Sequence, residues 1–169
     1  MLKTLLEGLL RRPVTDRPPK LDDADLAALA TRIDAAARRR LGRSLAIREV
    51  DAGSCNGCEL EINALQNAVY DLERFGLRVV ASPRHADVLL VTGPVTKNMR
   101  TALERTYEAV PAPKWVVAAG DCAISGGLFA GSYACVGPVS AVVPVSLAIP
   151  GCPPTPTELL KGLLTLLES

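Results

Sequence analysis

Two hydrophobic periods alternate along this chain. At its start Leu2, Leu5, Leu6, Leu9 and Leu10 recur at helical spacing, with Lys3, Glu7, Arg11 and Arg12 on the other face. This predicts an amphipathic helix over residues 1–12, ended by Pro13. Residues 13–21 hold Pro13, Pro18 and Pro19 and read as an extended linker. A second helix is expected from Asp22, a suitable N-cap, to Leu41, with Leu26, Leu29, Ala30, Ile33 and Ala37 on one stripe. Arg38, Arg39 and Arg40 crowd its last turn, where cations suit the helix dipole, and Gly42 suits the position beyond it. The first helix is too short to be stable alone. Its leucine stripe therefore needs a surface, and the proline linker behind it points to a partner's.

From residue 44 the pattern becomes strand–helix alternation. Strands are expected at Ser44–Val50, Leu77–Ala81, Ala86–Thr92, Lys114–Ala118 and Val142–Ile149, the third apolar enough to be buried on both faces. Pro144 assigns the last to an edge or a bulge. Helices are expected at Glu59–Phe75, with Leu65, Ala68, Val69, Leu72 and Phe75 inward and Gly76 as the stop, and at Lys97–Val110. A final helix opens with a capping box: Thr155 caps, Pro156 takes the first helical position and Glu158 reaches back. Its Leu159, Leu160, Leu163, Leu164 and Leu167 face inward. Such alternation predicts an α/β domain over 44–169, a parallel sheet with helices on both faces, preceded by the N-terminal helices.

Composition narrows the class. At 169 residues, 49% hydrophobic and 22% charged, the chain can bury a core without staples. A net charge of +1 gives no reason to expect nucleic acid as a partner. No signal peptide is visible, Arg11-Arg12 leads into proline rather than an apolar stretch, and no run approaches the ~20 residues of a membrane span. A cytoplasmic, peripheral location is expected. In a reducing compartment the five cysteines read as metal ligands or redox groups rather than disulfides.

Four of those cysteines lie in Gly- or Pro-containing loops just after apolar runs: Cys55 and Cys58 in Gly53-Ser54-Cys55-Asn56-Gly57-Cys58-Glu59, Cys122 in Gly120-Asp121-Cys122, and Cys152 in Pro150-Gly151-Cys152-Pro153-Pro154. In a parallel sheet, ligands bind beyond the carboxyl ends of the strands. These loops follow the first, fourth and fifth strands, so one sheet edge can gather all four sulfurs. Four thiolates hold either a tetrahedral zinc or an iron–sulfur cluster. Structural zinc sites usually pair two C-x2-C knuckles close together. Here only the first pair has that form, with 63 residues between Cys58 and Cys122 and 29 between Cys122 and Cys152. Gly57, Gly120 and Gly151 fit either metal, because they let backbone N–H groups approach sulfur.

These residues, together with Ser82-Pro83-Arg84-His85-Ala86-Asp87-Val88-Leu89-Leu90, Ser125-Gly126-Gly127 and Val143-Pro144-Val145, resemble the complex I B-subunit (20 kDa) family. That family includes the small subunits of energy-converting, membrane-bound NiFe-hydrogenases and of formate hydrogenlyase. The likeness runs from about Leu45 to the C-terminus. Quinone-reducing members have adjacent cysteines in the first motif; the C-x2-C here resembles the hydrogenase branch. Many relatives carry an Asp and a Tyr in the strand before the last cysteine, where Ser146 and Ala148 stand here.

The resemblance implies a flavodoxin-like domain that holds one 4Fe-4S cluster on Cys55, Cys58, Cys122 and Cys152. It implies three neighbours: a large catalytic subunit of the hydrogenase or complex I D type, a ferredoxin-like iron–sulfur subunit, and membrane-arm subunits met by the N-terminal helix. The chain would relay electrons at the cytoplasmic face of the membrane and catalyse nothing alone. A quinone-reducing complex is the first alternative, and a four-cysteine zinc scaffold the second. Glu59 opens a helix and serves its dipole; in hydrogenase-like relatives a carboxylate here lies near the large-subunit active site, which adds a proton-transfer role. Cys135 stands outside every motif and reads as a small buried hydrophobe. His85, the only histidine, reads as structural or solvated, Arg84 as a charge able to raise the cluster's potential, and Trp115 as core or interface. No G-x-G-x-x-G or Walker sequence is present.

Overall fold

The computed structural model describes residues 23–169. The helix and linker expected over residues 1–21, and Asp22 as a cap, lie outside this range. Helix α1 (Asp23–Leu41) leads into β1 (Leu45–Asp51), α2 (Gly57–Ala64), β2 (Leu77–Val79), β3 (Val88–Thr92), β4 (Val95–Thr96), α3 (Lys97–Ala109), β5 (Trp115–Ala119), α4 (Asp121–Ser125), β6 (Cys135–Gly137), β7 (Leu147–Ile149) and α5 (Pro156–Glu168). Five strands form one parallel sheet in the order β2-β1-β3-β5-β7. Counting only these strands, that is the 2-1-3-4-5 order of a flavodoxin-like fold.

Side-chain alternation sends each strand's residues to two cores. Leu45, Ile47, Val88, Leu90, Val117 and Ala119 meet α1, α2 and α5 on one face. Val50, Leu89, Val91, Val116 and Ala118 meet α3 and α4 on the other. All five residues of β3 are buried, as its apolar run requires of a central strand. Helix α1 belongs to the same core: Ile33 and Ala37 are fully buried in it. Two arginines of its last turn have defined partners. Arg38 pairs with Asp34 at 2.9 Å. Arg40 lies 4.9 Å from the centre of the Trp115 ring and donates to the carbonyls of Leu166 and Leu167 at the end of α5. The capping box of α5 forms as expected: Thr155 Oγ1 accepts from the Glu158 N–H, and Glu158 Oε2 accepts from the Thr155 N–H.

Three expectations need correction. The helix expected over Glu59–Phe75 breaks after Ala64. Asn67 Oδ1 accepts from the N–H groups of Val69 and Tyr70, at 2.9 and 3.0 Å, and this side-chain turn outcompetes the helical ladder. Asp71 then turns left-handed (φ 46) into a 3-10 turn over Leu72–Phe75. Leu65, Leu72 and Phe75 still reach the core, whereas Ala68 and Val69, expected inward, are exposed. The strand expected over Val142–Ile149 shortens to Leu147–Ile149, preceded by a 3-10 turn at Val139–Ala141, although its edge position holds. The strand expected over Leu77–Ala81 stops at Val79. An antiparallel ribbon of β4 and β6 carries too few residues for periodicity to announce it.

Candidate functional site

The loops that follow β1, β5 and β7 meet at the carboxyl edge of the sheet. Asp51, the last residue of β1, shapes the first loop: its Oδ1 accepts from the N–H groups of Gly53 and Ser54, both at 2.7 Å. Ser54 Oγ in turn accepts from Asn56 N–H at 2.9 Å. Asn56 is left-handed (φ 72), and the chain then enters α2 with Cys58 in its first turn. The second and third loops are laced together. Gly120 N–H donates to the Ile149 carbonyl at 2.8 Å, and Asp121 N–H to the Gly151 carbonyl at 2.9 Å. Gly151 N–H returns a bond to Asp121 Oδ1 at 2.9 Å.

Contacts between loops show how tightly the cysteines gather. A Cβ on Gly57 would lie 3.6 Å from Cys55 Sγ and 4.0 Å from the Pro153 ring. A Cβ on Gly120 would lie 2.7 Å from Cys58 Sγ, and one on Gly127 the same distance from Cys122 Sγ. Backbone without side chains therefore lines the sulfurs, as a bulky inorganic group demands. Gly120 (φ 90) and Gly127 (φ 49) also adopt conformations that side chains disfavour.

The electrostatics point the same way. Burial pushes the Cys58 thiol up to about 12, and Glu59, Cys122, Cys55 and Cys152 each add to the rise. Burial likewise raises Cys122; the Leu128 N–H aimed at its sulfur opposes this, while Cys152, Cys55 and Asp121 add to it. Cys58 thus lies within electrostatic reach of the other three cysteines and Cys122 within reach of Cys55 and Cys152, and none of the four is disulfide-bonded. Four thiolates in one place are stable only around cationic charge, which a metal supplies. The donor set and the side-chain-free backbone beside Cys58 and Cys122 fit a sulfur-ligated metal group.

Cys135 stands apart, in β6 on the small ribbon, and is only half-buried where a buried filler was expected. Arg84 and His85 lie in a 3-10 turn at the amino end of β3, whereas the cysteines lie beyond carboxyl ends. The length of β3, about 15 Å, separates the two edges, so Arg84 is not the charge beside the cysteines that its sequence position suggested. Glu59 is only 8% exposed. Its Oε2 accepts a short hydrogen bond from Ser54 Oγ, and its Oε1 is buried without a protein partner.

Sequence reasoning passed over Glu49. Burial raises its pKa, and the charge of Glu59 raises it further. Strand alternation contains the signal: residue 49 shares the face of Ile47, the face that carries α2. Asp51 and Asp121 were also passed over as loop-formers, although an Asp two residues ahead of a Gly-Ser pair, as at position 51, is a recognisable turn signature. Ser146 extends the sheet: its N–H donates to the Val116 carbonyl at 2.8 Å and its Oγ accepts from Val116 N–H at 3.2 Å.

Known proteins give a consistent picture. Residues 55–166 match the family described as NADH ubiquinone oxidoreductase, 20 Kd subunit. The chain is 47% identical over 133 residues to formate hydrogenlyase subunit 7 of Escherichia coli (strain K12), an alignment covering 77% of this chain but 52% of that protein. It is 46% identical over 128 residues to the probable membrane-bound hydrogenase subunit mbhJ of Pyrococcus furiosus, covering 76% and 77%. A polypeptide of the F(420)H(2) dehydrogenase of Methanosarcina mazei is 49% identical over 111 residues, covering 66% of this chain and 60% of that one. The chain thus spans about half the length of the formate hydrogenlyase subunit. Among solved structures, a chain of the membrane-bound sulfane sulfur reductase, an archaeal respiratory membrane complex, superimposes with a TM-score of 0.66 at 34% identity, covering 88% of this chain and 75% of that one. With the gathered cysteines on the same fold, these findings establish that the chain belongs to the family of the NADH ubiquinone oxidoreductase 20 kDa subunit.

Proposed function

We propose that this chain is a non-catalytic electron-transfer subunit of a membrane-bound, hydrogenase-type oxidoreductase complex, carrying one 4Fe-4S cluster on Cys55, Cys58, Cys122 and Cys152. The observation that carries this reading is the gathering of four cysteines from three loops, with Gly120 and Gly127 leaving no room for a side chain beside the Cys58 and Cys122 sulfurs. When bound, the cluster supplies one-electron exchange at fixed positions. The chain's own residues hold it and set its surroundings. Leu128 N–H points at the Cys122 sulfur, and such hydrogen bonds lower charge density on a ligand. Glu59, hydrogen-bonded to Ser54 and otherwise unpartnered on Oε1, is placed to hold a proton at the start of α2. The Cys122 and Cys152 loops are laced to each other by backbone bonds and by the Asp121 carboxylate, which fixes the relative position of those two ligands.

In this reading the large catalytic subunit lies on the cysteine side and a ferredoxin-like subunit exchanges electrons with the cluster. No helix among the described residues is long and apolar enough to cross a membrane, so attachment to membrane-arm subunits would be peripheral. Likeness to an F(420)H(2) dehydrogenase polypeptide supports a second reading, in which the same relay serves a complex I-like complex without hydrogen chemistry. Two pairs of nickel-binding cysteines in the large-subunit sequence would distinguish the first from the second.

The test is anaerobic purification followed by iron and sulfide analysis and reduced-state EPR of five single Cys→Ser variants. Four iron and four sulfide per chain are expected. The signal should be lost or changed at positions 55, 58, 122 and 152 and kept at 135. Colourless protein with one zinc, or a cluster lost with Cys135→Ser and kept with Cys122→Ser, would overturn the assignment.

A further inference from the structure

One part of the sheet lies outside both helix-packed cores, and it is basic. The β1–β2 crossover packs α2 and the 72–75 turn on the α1/α5 face. On the opposite face α3 covers β3 and β5, while β2 passes to β3 through only a short turn. The helix-packed core on the α3 side takes in Val50 at the end of β1 and, in part, Val80, and the amino halves of β1 and β2 lie outside it. A cavity of about 490 Å³ opens there, lined by Arg43, Arg78, Val80, Arg84, His85, Ala86 and Pro111 of the α3–β5 connection. Arg78 is level with Ala46 in the sheet, and Arg48, on the same face, comes level with Val80.

Charge on this face is unbalanced. Arg43 is committed to Asp87, which it grips with two bonds of 2.6 and 2.9 Å. Among the described residues Arg48, Arg78 and Arg84 form no ion pair, and no acidic residue lines the cavity. Arg48 Nε is buried without a hydrogen-bond partner, an arrangement that a folded chain normally avoids. The guanidiniums are spread over two strands and a turn. No helix N-terminus or backbone nest converges on a single point, as a compact phosphate site would need. Guanidinium forks distributed along a surface match carboxylates distributed along a polypeptide. The chain's own residues 1–22 carry five Lys and Arg against three Asp and Glu, and so do not complement the face.

We propose that the β1–β2 face bearing Arg48, Arg78, Arg84 and His85 docks a carboxylate-rich segment of a partner polypeptide. It lies at the sheet edge opposite the cysteines, so the contact serves assembly and goes beyond the electron-transfer reading.

The test uses the intact complex with a photocrosslinking residue, p-benzoylphenylalanine, at exposed position 85. Irradiation and mass spectrometry are expected to map a partner segment with at least two Asp or Glu within about eight residues. The double variant Arg78→Glu/Arg84→Glu should cut crosslinked product at least tenfold, and Lys at the mapped carboxylates should restore it to within threefold. The neutral pair Arg78→Gln/Arg84→Gln, which folds under milder stress, should give an intermediate loss. Thermal unfolding of each variant checks the fold. A crosslink to lipid, to residues 1–22 or to a segment without carboxylates would overturn the proposal, as would no crosslink or a yield indifferent to charge reversal. Nothing in this readout depends on iron, so its failure is separable from failure of the cluster assignment.

Discussion

Substituting Gly120 probes the cradle directly, because one methyl group reports on both backbone and ligand geometry. Gly120 sits at φ 90 and ψ 154, between β5 and α4, in a region reserved for glycine. Forcing Ala into it costs about 1–3 kcal/mol. The added Cβ would fall 2.7 Å from Cys58 Sγ and 3.4 Å from the Gly151 carbonyl oxygen, so one must move, at about 1–3 kcal/mol for overpacking. The carbonyl belongs to the pair of bonds that lock the Cys122 and Cys152 loops and gives little, so the sulfur gives instead. Gly120→Ala is therefore expected to lose about 2–6 kcal/mol and, at roughly 2–4 °C per kcal/mol for a chain of this size, to melt at least about 4 °C lower. Iron per chain should fall with it. Gly57→Ala is the matched control. Its Cβ would meet Cys55 Sγ at 3.6 Å, an ordinary contact, and its φ is not left-handed, so it should keep both iron and melting temperature. Calorimetry and iron analysis of the two variants decide. Equal losses, or a Gly120→Ala protein with full iron and unchanged melting, would refute the account.

Other consequences follow from single side chains. Glu59→Gln should leave iron content and assembly intact while slowing proton-coupled turnover of the complex; Glu59→Asp, which titrates but reaches less far, should fall between, and unchanged turnover would return Glu59 to a helix-dipole role. Burial and the charge of Glu59 hold the Glu49 carboxyl above its usual 4.5. The folded chain then binds that proton more tightly than the unfolded chain, so stability declines as pH rises from 4.5 towards the folded value. Glu49→Gln should flatten that decline in melting curves taken across the range, and an unchanged slope would show that Glu49 is not its source. Arg40→Ala removes the Trp115 contact and the two bonds at the end of α5, and should cost about 1–2 kcal/mol with iron unchanged. No change in melting would show these contacts to be idle.

Where the chain repeats a period over enough residues, sequence alone determined the outcome. The apolar run of β3, the stripe Leu26–Ile33–Ala37 of α1 and the capping box at Thr155 all form as their local patterns demand, because each is decided within one or two turns of chain. The parallel α/β architecture followed from their alternation, and the four-cysteine set from loop position and family likeness. Tertiary structure decided what depends on partners far away in sequence. Asn67 broke an otherwise helical stretch through its side chain, and the edge strand β7 shortened because only β5 is there to pair with it. Arg40 left a solvated helix end for Trp115 and α5. Glu49 became a perturbed carboxyl only when α2 folded over its face. Arg84, adjacent in the motif to a buried strand, fell at the edge away from the cysteines because strand direction, which no local pattern encodes, determines which end of a loop faces which edge. The basic face outside both helix-packed cores is likewise a property of which crossover takes which side, fixed by packing of the whole sheet rather than by any one segment.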